Sequence, residues 1–393
     1  MKSSTAIPRG VWVLGFVSLL MDVSSEMIHS LLPLYLTVSL GASALAVGVI
    51  EGIAESTALI VKVFSGTLSD RWRKRKAITA FGYGLAALSK PLFALAAGPM
   101  LVFFARFMDR IGKGIRGAPR DALIADLTPK EIRGAAFGLR QSLDTVGAFA
   151  GPLLAMALML AWNDDFRAVF WVAVIPAMLS FALILFAVKE PDARPADAKA
   201  EKVALDRATM AKLGAAFWGV TAAATAMTLA RFSEAFLILR GSDLGLETAY
   251  APLILVGMNV VYAGTAYPVG RLADRMSRKT LLFIGIAFLV AADIVLAMAP
   301  GLVMLGVGIA LWGLHMGFTQ GVFSAMVAQA SPAALRGTAF GVFNLASGIA
   351  MLAASALAGA LWQFVGPAAT FIAGAVLAAL SFAITVVAIR SGK

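Results

Sequence analysis

The sequence predicts an all-α integral membrane protein in which twelve transmembrane helices form two pseudo-symmetric six-helix bundles. The first observation is composition, since 60% of the 393 residues are hydrophobic, 14% are charged and the mean hydropathy is +0.86. A soluble domain could not bury so much apolar surface. The second observation is a division of the chain into twelve apolar stretches, and the third is an internal repeat.

Each apolar stretch holds roughly 20 residues, enough to cross a hydrocarbon core of ~30 Å as a helix. Lipid offers no partners to backbone N–H and C=O groups, and a helix satisfies them internally. The first stretch is too long for a signal peptide and lacks a small-residue cleavage site, so we predict an uncleaved helix. The predicted spans are residues 11–37, 44–66, 77–96, 99–116, 137–160, 167–188, 213–238, 250–270, 280–298, 302–328, 338–361 and 366–389.

Basic residues lie almost entirely in the loops on one side of these spans. The opposite loops hold only Arg167 and Arg240, so the positive-inside rule predicts cytoplasmic termini and a cytoplasmic middle loop. This placement explains the net charge of +11 as a topological signal beside anionic lipid heads, and we predict no nucleic-acid partner. The absence of cysteine excludes disulfides and thiolate metal sites, and we predict no cofactor.

Two loop motifs occur twice in the chain. Gly66-Thr-Leu-Ser-Asp-Arg71 reappears as Gly270-Arg-Leu-Ala-Asp-Arg275, and Arg133-Gly-Ala-Ala-Phe-Gly138 reappears as Arg336-Gly-Thr-Ala-Phe-Gly341. The offsets are 204 and 203 residues, which indicates a duplicated six-helix unit. A polar stretch rich in Ala and Pro joins the copies. We therefore predict an N-terminal bundle at 1–189, a cytoplasmic linker at 190–212 and a C-terminal bundle at 213–393.

The two Gly-x-Leu-[Ser/Ala]-Asp-Arg loops resemble the loop signature of the major facilitator superfamily. The resemblance implies the fold of that family, and transport of a small solute by alternating access. It also implies a cytoplasmic gate, in which a short acidic side chain complements a helix dipole and pairs with Arg. The alternative is an ordinary charged turn that fixes topology. The gate residues would be Asp70, Arg71, Asp274, Arg275, Arg133 and Arg336.

The fifth span carries a glycine pattern that is similar to one in proton-coupled exporters of the same superfamily. Gly138 is followed by Gly147 and then by Gly151-Pro152. The alternative is plain helix packing, because small residues at i and i+4 let helices approach closely.

The fourth span resembles the intramembrane Arg motif of the superfamily, and Arg106 matches the coupling arginine. The segment that follows, Ile115 to Asp126, is similar to a prokaryotic branch that includes nickel-resistance transporters. The resemblance implies a multi-pass protein of the bacterial inner (cytoplasmic) membrane.

Charged residues within the predicted spans are the candidate site, since a charge at mid-bilayer costs about 2.5–3.5 kcal/mol on insertion scales. Asp22, Glu26 and His29 form one stripe of the first helix. Glu51 and Glu55 begin a second polar stripe on the next helix. We expect both stripes to face a central cavity and to be extended by Arg106, Asp109 and Asp144.

Three roles remain open for this cluster. Carboxylates in a low dielectric can hold a proton until a cation displaces it, with Arg106 as counter-charge. His29 could share that proton, or join Asp22 and Glu26 as a ligand if the cargo is a metal ion. The third role is a buried ion-pair network, for example Glu55 or Asp109 with Arg106 or Lys62.

Other polar residues within the spans are weaker candidates. Arg231 and Glu234 could form an internal pair or an extracellular gate. Lys90 is expected to snorkel, Asp293 is isolated, and His315 is expected to pack. The secondary cavity candidates are Lys62, Arg231, Glu234, Asn259 and Tyr262.

The function predicted from these patterns is a proton-coupled antiporter that exports a divalent metal, a metal chelate or a lipophilic cationic compound. One alternative is a proton-coupled symporter that imports a small organic or metal-chelate solute. A membrane enzyme or receptor is disfavoured because the chain has no HExxH, P-loop or GxSxG motif. The expected partners are protons, the solute and lipid, and the expected state is a monomer.

Overall fold

The computed structural model describes residues 6–72, 74–189, 210–272, 276–332 and 335–390. Within these ranges the regular secondary structure is helical throughout, which confirms the predicted all-α architecture. Residues 190–209 of the predicted linker lie outside the described ranges.

Twelve long helices, α1 to α12, account for most of the chain. Among the described residues, eleven helical segments are long and apolar enough to cross a membrane. The helix that does not meet this criterion is α4, which contains eight charged residues. The bounds are α1 Arg9–His29, α2 Ala44–Trp72, α3 Arg75–Leu95, α4 Pro99–Leu127, α5 Arg133–Ala161, α6 Phe166–Ala187, α7 Gly214–Ala230, α8 Pro252–Leu272, α9 Arg278–Met298, α10 Leu302–Ala330, α11 Arg336–Phe364 and α12 Pro367–Arg390.

Two predicted spans are interrupted. The first ends its regular helix at His29 and continues as a helical turn at Leu32–Leu34 and a π-helix at Tyr35–Ser39. Pro33 has no N–H to donate, which weakens a continuous helix there. The seventh stops at Ala230 and resumes as a short helix at Ala235–Asp243.

Two other helices are longer than predicted. The second continues six residues past the predicted end at 66, and the fourth continues to Leu127 instead of 116. Hydropathy marks only the part of a helix that lies in hydrocarbon, and charged residues outside it do not end the helix.

The chain forms two compact units. Unit one contains Met1–Leu32 and Thr57–Ala200, and unit two contains Pro33–Ser56 and Glu201–Lys393. Helix α2 therefore contributes its first half to unit two and its second half to unit one. The predicted boundaries at 189 and 213 stay a prediction.

Unit one is built by helix pairs that share apolar and small-residue surfaces. Helix α1 packs against α5 and α6, and α3 packs against α4 and α6. A Cβ atom on Gly82 would lie 2.8 Å from the carbonyl oxygen of Gly112, so α3 and α4 approach at backbone distance. The core of α1 against its neighbours includes Val11, Leu14 and Met21.

Unit two repeats this packing. Helix α7 packs against α11 and α12, and α9 packs against α10 and α12. Helices α9, α10 and α11 each begin and end 203 residues after α3, α4 and α5. The duplication read from two short motifs thus extends to whole helices.

The first half of α2 is held in unit two by a stripe of small residues. A Cβ atom on Gly52 would lie 3.2 Å from the Cα atom of Leu352 on α11. One turn later the hydroxyl of Ser56 donates to the carbonyl oxygen of Gly348. This stripe, which includes Gly48, lets the two backbones approach closely.

Candidate functional site

Helix α4 carries the main concentration of buried charge in unit one. The spacing of these residues places most of them on the face that meets α3. Burial of so many charges is stable only where partners replace water. The charged side chains of α4 that are at most 9% exposed are Arg106, Asp109, Arg110, Arg116 and Arg120.

A buried ion pair joins α3 to α4. The Lys90 ammonium donates to Oδ1 of Asp109 at 2.8 Å and to the hydroxyl of Ser25 at 2.9 Å. The other carboxylate oxygen of Asp109 lies 3.2 Å from Nε of Arg110. The prediction that Lys90 snorkels is wrong, because the side chain is 1% exposed and its ammonium finds these partners inside the unit.

A second polar group lies further along α4. The guanidinium of Arg116 stands 4.7 Å from the ring centroid of Tyr83, which is a cation–π contact. One turn later Arg120 donates to the hydroxyl of Ser18 at 3.0 Å, and that hydroxyl lies 3.1 Å from the hydroxyl of Tyr83. Sequence reasoning missed this group, although the i, i+4 spacing of the two arginines on one helix face was a usable signal.

The predicted acidic stripe lies on the partly accessible side of α1. Asp22, Glu26 and His29 are half-buried, whereas most of the other residues of the helix's second half are buried. Oε2 of Glu26 lies 3.4 Å from Nδ1 of His29, so the structure brings these two together. A carboxyl and an imidazole in contact can share one proton.

The glycines of α5 pack beneath this stripe. A Cβ atom on Gly147 would lie 2.8 Å from the carbonyl oxygen of Leu19 and 3.0 Å from Cβ of Asp22. A Cβ atom on Gly151 would lie 2.7 Å from the carbonyl oxygen of Val23 and 2.9 Å from Cβ of Glu26. Both glycines thus serve helix packing, the alternative interpretation of the motif, and they set α5 against the acidic residues.

The remaining members of the α5 pattern differ from these two glycines. Gly138 faces open space, with no atom of the described residues within 4 Å of an added Cβ. Pro152 is buried. Asp144, predicted to extend the acidic cluster, forms an ion pair with Arg140 on its own helix.

The second polar stripe divides between the units. Glu51 is fully buried and Glu55 is half-buried, and both lie in the part of α2 that belongs to unit two. Lys62 lies in unit one and is exposed. A vestibule shared by the stripes of α1 and α2 therefore stays a prediction.

The secondary candidates of unit two lie in the segment after α7 and on α8. The hydroxyl of Tyr262 donates to Oε1 of Gln320 at 3.1 Å, and Asn259 lies half-buried one turn earlier. Arg231 and Glu234 flank the interruption after α7, and their roles as pair or gate stay predictions.

His315 is fully buried on α10, as expected for a packing residue. Its Nδ1 atom lies 2.9 Å from the carbonyl oxygen of Gly285.

The predicted cytoplasmic gate is described only in part. Asp274 and Arg275 lie outside the described residues, as do the side chains of Asp70 and Arg71. Nε of Arg133 lies 3.4 Å from the carbonyl oxygen of Thr128, to which it donates. Arg336 is exposed. The gate stays a prediction.

The described residues contain no group of three or more His, Asp or Glu side chains placed to hold a metal ion. The set predicted on α1 for a metal cargo, Asp22 with Glu26 and His29, is therefore not found as such a group. Of its three residues, Glu26 and His29 are in contact.

Comparisons with known proteins place the chain in a family. The family model described as Major Facilitator Superfamily matches residues 14–258 and 214–392. The MFS-type transporter MJ1317 of Methanocaldococcus jannaschii is 32% identical over 391 residues, covering 97% of this chain and 95% of the relative. The class D tetracycline resistance protein of Salmonella ordonez is 27% identical over 310 residues, covering 75% and 76%.

The fold has counterparts among solved structures. The inward-facing, unoccupied crystal structure of a bacterial homologue of the human lysosomal transporter Spinster matches with a TM-score of 0.74 and 17% identity. The match covers 97% of this chain and 96% of the other. At this identity the likeness concerns the fold alone, and it confirms the predicted fold class.

Proposed function

We propose that this chain, which belongs to the Major Facilitator Superfamily of membrane transporters, is a proton-coupled antiporter that exports a small cationic solute. The proposal assigns proton exchange to the acidic stripe of α1 and places the chain in the bacterial inner membrane with cytoplasmic termini. Binding of a cationic solute on the cytoplasmic side would release the proton, and protons from outside would restore it.

The contact between Glu26 and His29 is the observation that carries this proposal. Both side chains are half-buried, at 21% and 13% exposure, so neither is sealed inside the packed helices. Their distance of 3.4 Å allows one proton to pass between carboxyl and imidazole. Asp22, one turn earlier, adds a second carboxyl on the same side of the helix.

The buried charges of α4 support a different role for that helix. Asp109 is held by Lys90 and Arg110, so the carboxylate has counter-charges and little access to water. A carboxylate held in this way keeps its charge and joins two helices. We therefore place Asp109 in the framework of unit one rather than in proton exchange.

Export and a cationic solute are supported by two independent features. The relative from Salmonella ordonez is a tetracycline resistance protein, which favours outward transport of an organic compound. The accessible stripe of α1 carries two carboxylates, which attract cations. A lipophilic organic cation is thus the first substrate class to test, and a divalent metal or its chelate is the second.

Two measurements test the proposal. Cells that lack or over-produce the protein would be grown with nickel, cobalt, tetracycline or ethidium, and protection by over-production against one class would identify the solute. Proteoliposomes loaded with that solute would then receive a pH gradient. An antiporter releases the trapped solute when the outside is made acidic, whereas a symporter takes up external solute under the same gradient. Uptake instead of release would overturn the export proposal.

A further inference from the structure

Helix α9 contains one acidic residue, Asp293, within its apolar sequence. The side chain is 0% exposed, and neither carboxylate oxygen has a hydrogen-bond partner among the residues that the structure describes. An ionised carboxylate would lose its hydration here and gain no counter-charge. The neutral, protonated carboxyl is therefore the form that this site stabilises.

Aromatic rings and a glycine enclose the carboxyl. A Cβ atom on Gly374 of α12 would lie 2.6 Å from Oδ2 of Asp293 and 3.0 Å from Cε1 of Phe232. The Phe232 ring in turn packs against the rings of Trp312 and Phe371, with centroid distances of 5.4 and 5.5 Å. Phe232 and the carboxyl of Asp293 thus both lie against Gly374, whose missing side chain leaves the room that the carboxyl occupies.

Few charged or titratable groups lie on the elements around Asp293. On α10 the group is His315, whose contact with Gly285 lies about two turns away along α9. Arg231 and Glu234 flank Phe232 after α7, and Lys279 is at the other end of α9. The buried Arg240 of the short helix Ala235–Asp243 donates to the carbonyl oxygen of Leu296, one turn after Asp293 on α9. In the part of α12 whose side chains are described there is no charged residue. No ion pair of Asp293 occurs within the described part of unit two.

The repeat shows how unusual this acid is. Asp293 lies 203 residues after Lys90, the offset that relates α9 to α3. In unit one that position holds an ammonium fixed by Asp109 and Ser25. The position that matches Asp109 in unit two holds Trp312. Unit two therefore has an ionisable group at this position without the counter-charge that it has in unit one, which a purely structural position does not require.

Phe232, which lies against the same glycine as Asp293, belongs to an interrupted helix. Phe232 lies between Ala230 and Ala235, where α7 ends and the short helix Ala235–Asp243 begins. Side chains satisfy the free backbone groups, since Ser233 N–H donates to the hydroxyl of Ser355 and Ala235 N–H donates to the hydroxyl of Ser233. Such a segment can rearrange without breaking a continuous helix, and discontinuous helices of this kind form ion sites in transporters.

The geometry points to Asp293 as a proton-binding site of the transport cycle in unit two. The carboxyl keeps its proton while Phe232 covers it. When the segment between Ala230 and Ala235 rearranges and admits water, the O–H bond breaks and the proton passes to that water, leaving a carboxylate that is later reprotonated. This inference rests on the proposed proton-coupled transport and adds a second coupling group to it.

Infrared difference spectroscopy during a pH titration tests the protonation directly and needs no solute. Wild-type protein and Asp293→Asn would be reconstituted in phosphatidylethanolamine and phosphatidylglycerol vesicles. We expect the carbonyl stretch of a buried protonated carboxylic acid at neutral pH in the wild type, its loss in Asp293→Asn, and its retention in the control Ser381→Ala, a buried change on α12. Identical bands in the wild type and Asp293→Asn would overturn the site.

Two variants test the link to transport. Phe232→Ala should let water reach the carboxyl, so the titration midpoint of the band should move to more acidic pH; an unmoved midpoint would overturn the covering role. With ethidium or Ni²⁺ as probe, Asp293→Asn should slow gradient-driven efflux by about tenfold or more and leave equilibrium exchange within about twofold. Efflux as fast as in the wild type would overturn a role in coupling. If the wild type transports neither probe, the proposed function fails while the infrared band still decides the protonation of Asp293.

Discussion

Unit one and unit two repeat the same helix packing but differ in the charged side chains that their matching helices α4 and α10 bury. Helix α4 buries five charged side chains, and the helix at the same place in unit two, α10, has none at the matching positions. There the sequence, 203 residues later, reads Ile309, Trp312, Gly313, Thr319 and Phe323.

This difference indicates that the helix packing itself does not need the charges of α4. The apolar α10 packs against α9 as α4 packs against α3. Buried ion pairs add little stability over an apolar core, yet removal of one partner is costly. The charges of α4 therefore stiffen unit one, whereas in unit two the buried carboxyl of Asp293 has no hydrogen-bond partner among the described residues.

Among these variants, we expect the greatest loss of stability when the Lys90–Asp109 ion pair of unit one is broken. Lys90→Met leaves Asp109 buried beside Arg110 with one counter-charge fewer. We expect a loss of about 3–5 kcal/mol in the free energy of unfolding, because an uncompensated buried charge remains. Thermal unfolding in detergent, followed by the fraction of monodisperse protein, measures the loss.

The matched control is Lys62→Met, which makes the same change at an exposed position of unit one. We expect its melting temperature to equal that of the wild type. The double variant Lys90→Met with Asp109→Leu should recover most of the lost stability, because it leaves no unpaired charge at either position. A single Lys90→Met variant as stable as the wild type would show that the ion pair is not needed.

An intermediate effect is expected at the glycine face of α5. Gly151→Ala would place a Cβ atom 2.7 Å from the carbonyl oxygen of Val23, so α1 and α5 must separate. Unit two already has an alanine at the matching position, Ala354, which makes this close approach specific to unit one. We expect a loss of about 1–3 kcal/mol in stability, measured by thermal unfolding.

The control for this prediction comes from the same motif. Gly138→Ala adds a methyl group where no described atom is near, and alanine favours helix by up to about 1 kcal/mol. The variant should be as stable as the wild type or slightly more so. An equal loss of stability in Gly151→Ala and Gly138→Ala would show that the close contact with α1 is not the reason for a glycine at position 151.

The sequence predicted helices and their duplication better than it predicted contacts. Hydropathy located twelve spans, because crossing a bilayer demands long apolar helices whatever their partners. Periodicity placed Asp22 and Glu26 on one side of α1, which the structure bears out. It could not show that Lys90 meets Asp109, since the two lie on different helices and only tertiary packing sets which faces meet.

Local interruptions were equally hidden from the sequence. The break after Ala230 depends on Ser355 of a distant helix, which accepts a hydrogen bond from Ser233 N–H. The composition of the sequence near residue 231 does not predict a hydrogen bond to Ser355. The sequence by itself marks Asp293 only as an isolated acid within a span, whereas the helix offset of 203 residues relates it to Lys90.

The smallest expected effect, in energy, concerns the accessible stripe of unit one. Glu26→Gln removes the carboxylate that contacts His29. We expect gradient-driven efflux of the solute to fall about tenfold, which corresponds to about 1.4 kcal/mol, with stability and equilibrium exchange preserved. Glu131→Gln, at an exposed turn, is the control and should transport as the wild type does. We expect the same loss of gradient-driven efflux from Asp293→Asn in unit two, so a comparison of the two variants shows which unit couples transport to protons. Loss in both variants places coupling in both units, and loss in Asp293→Asn alone removes the stripe of α1 from proton exchange.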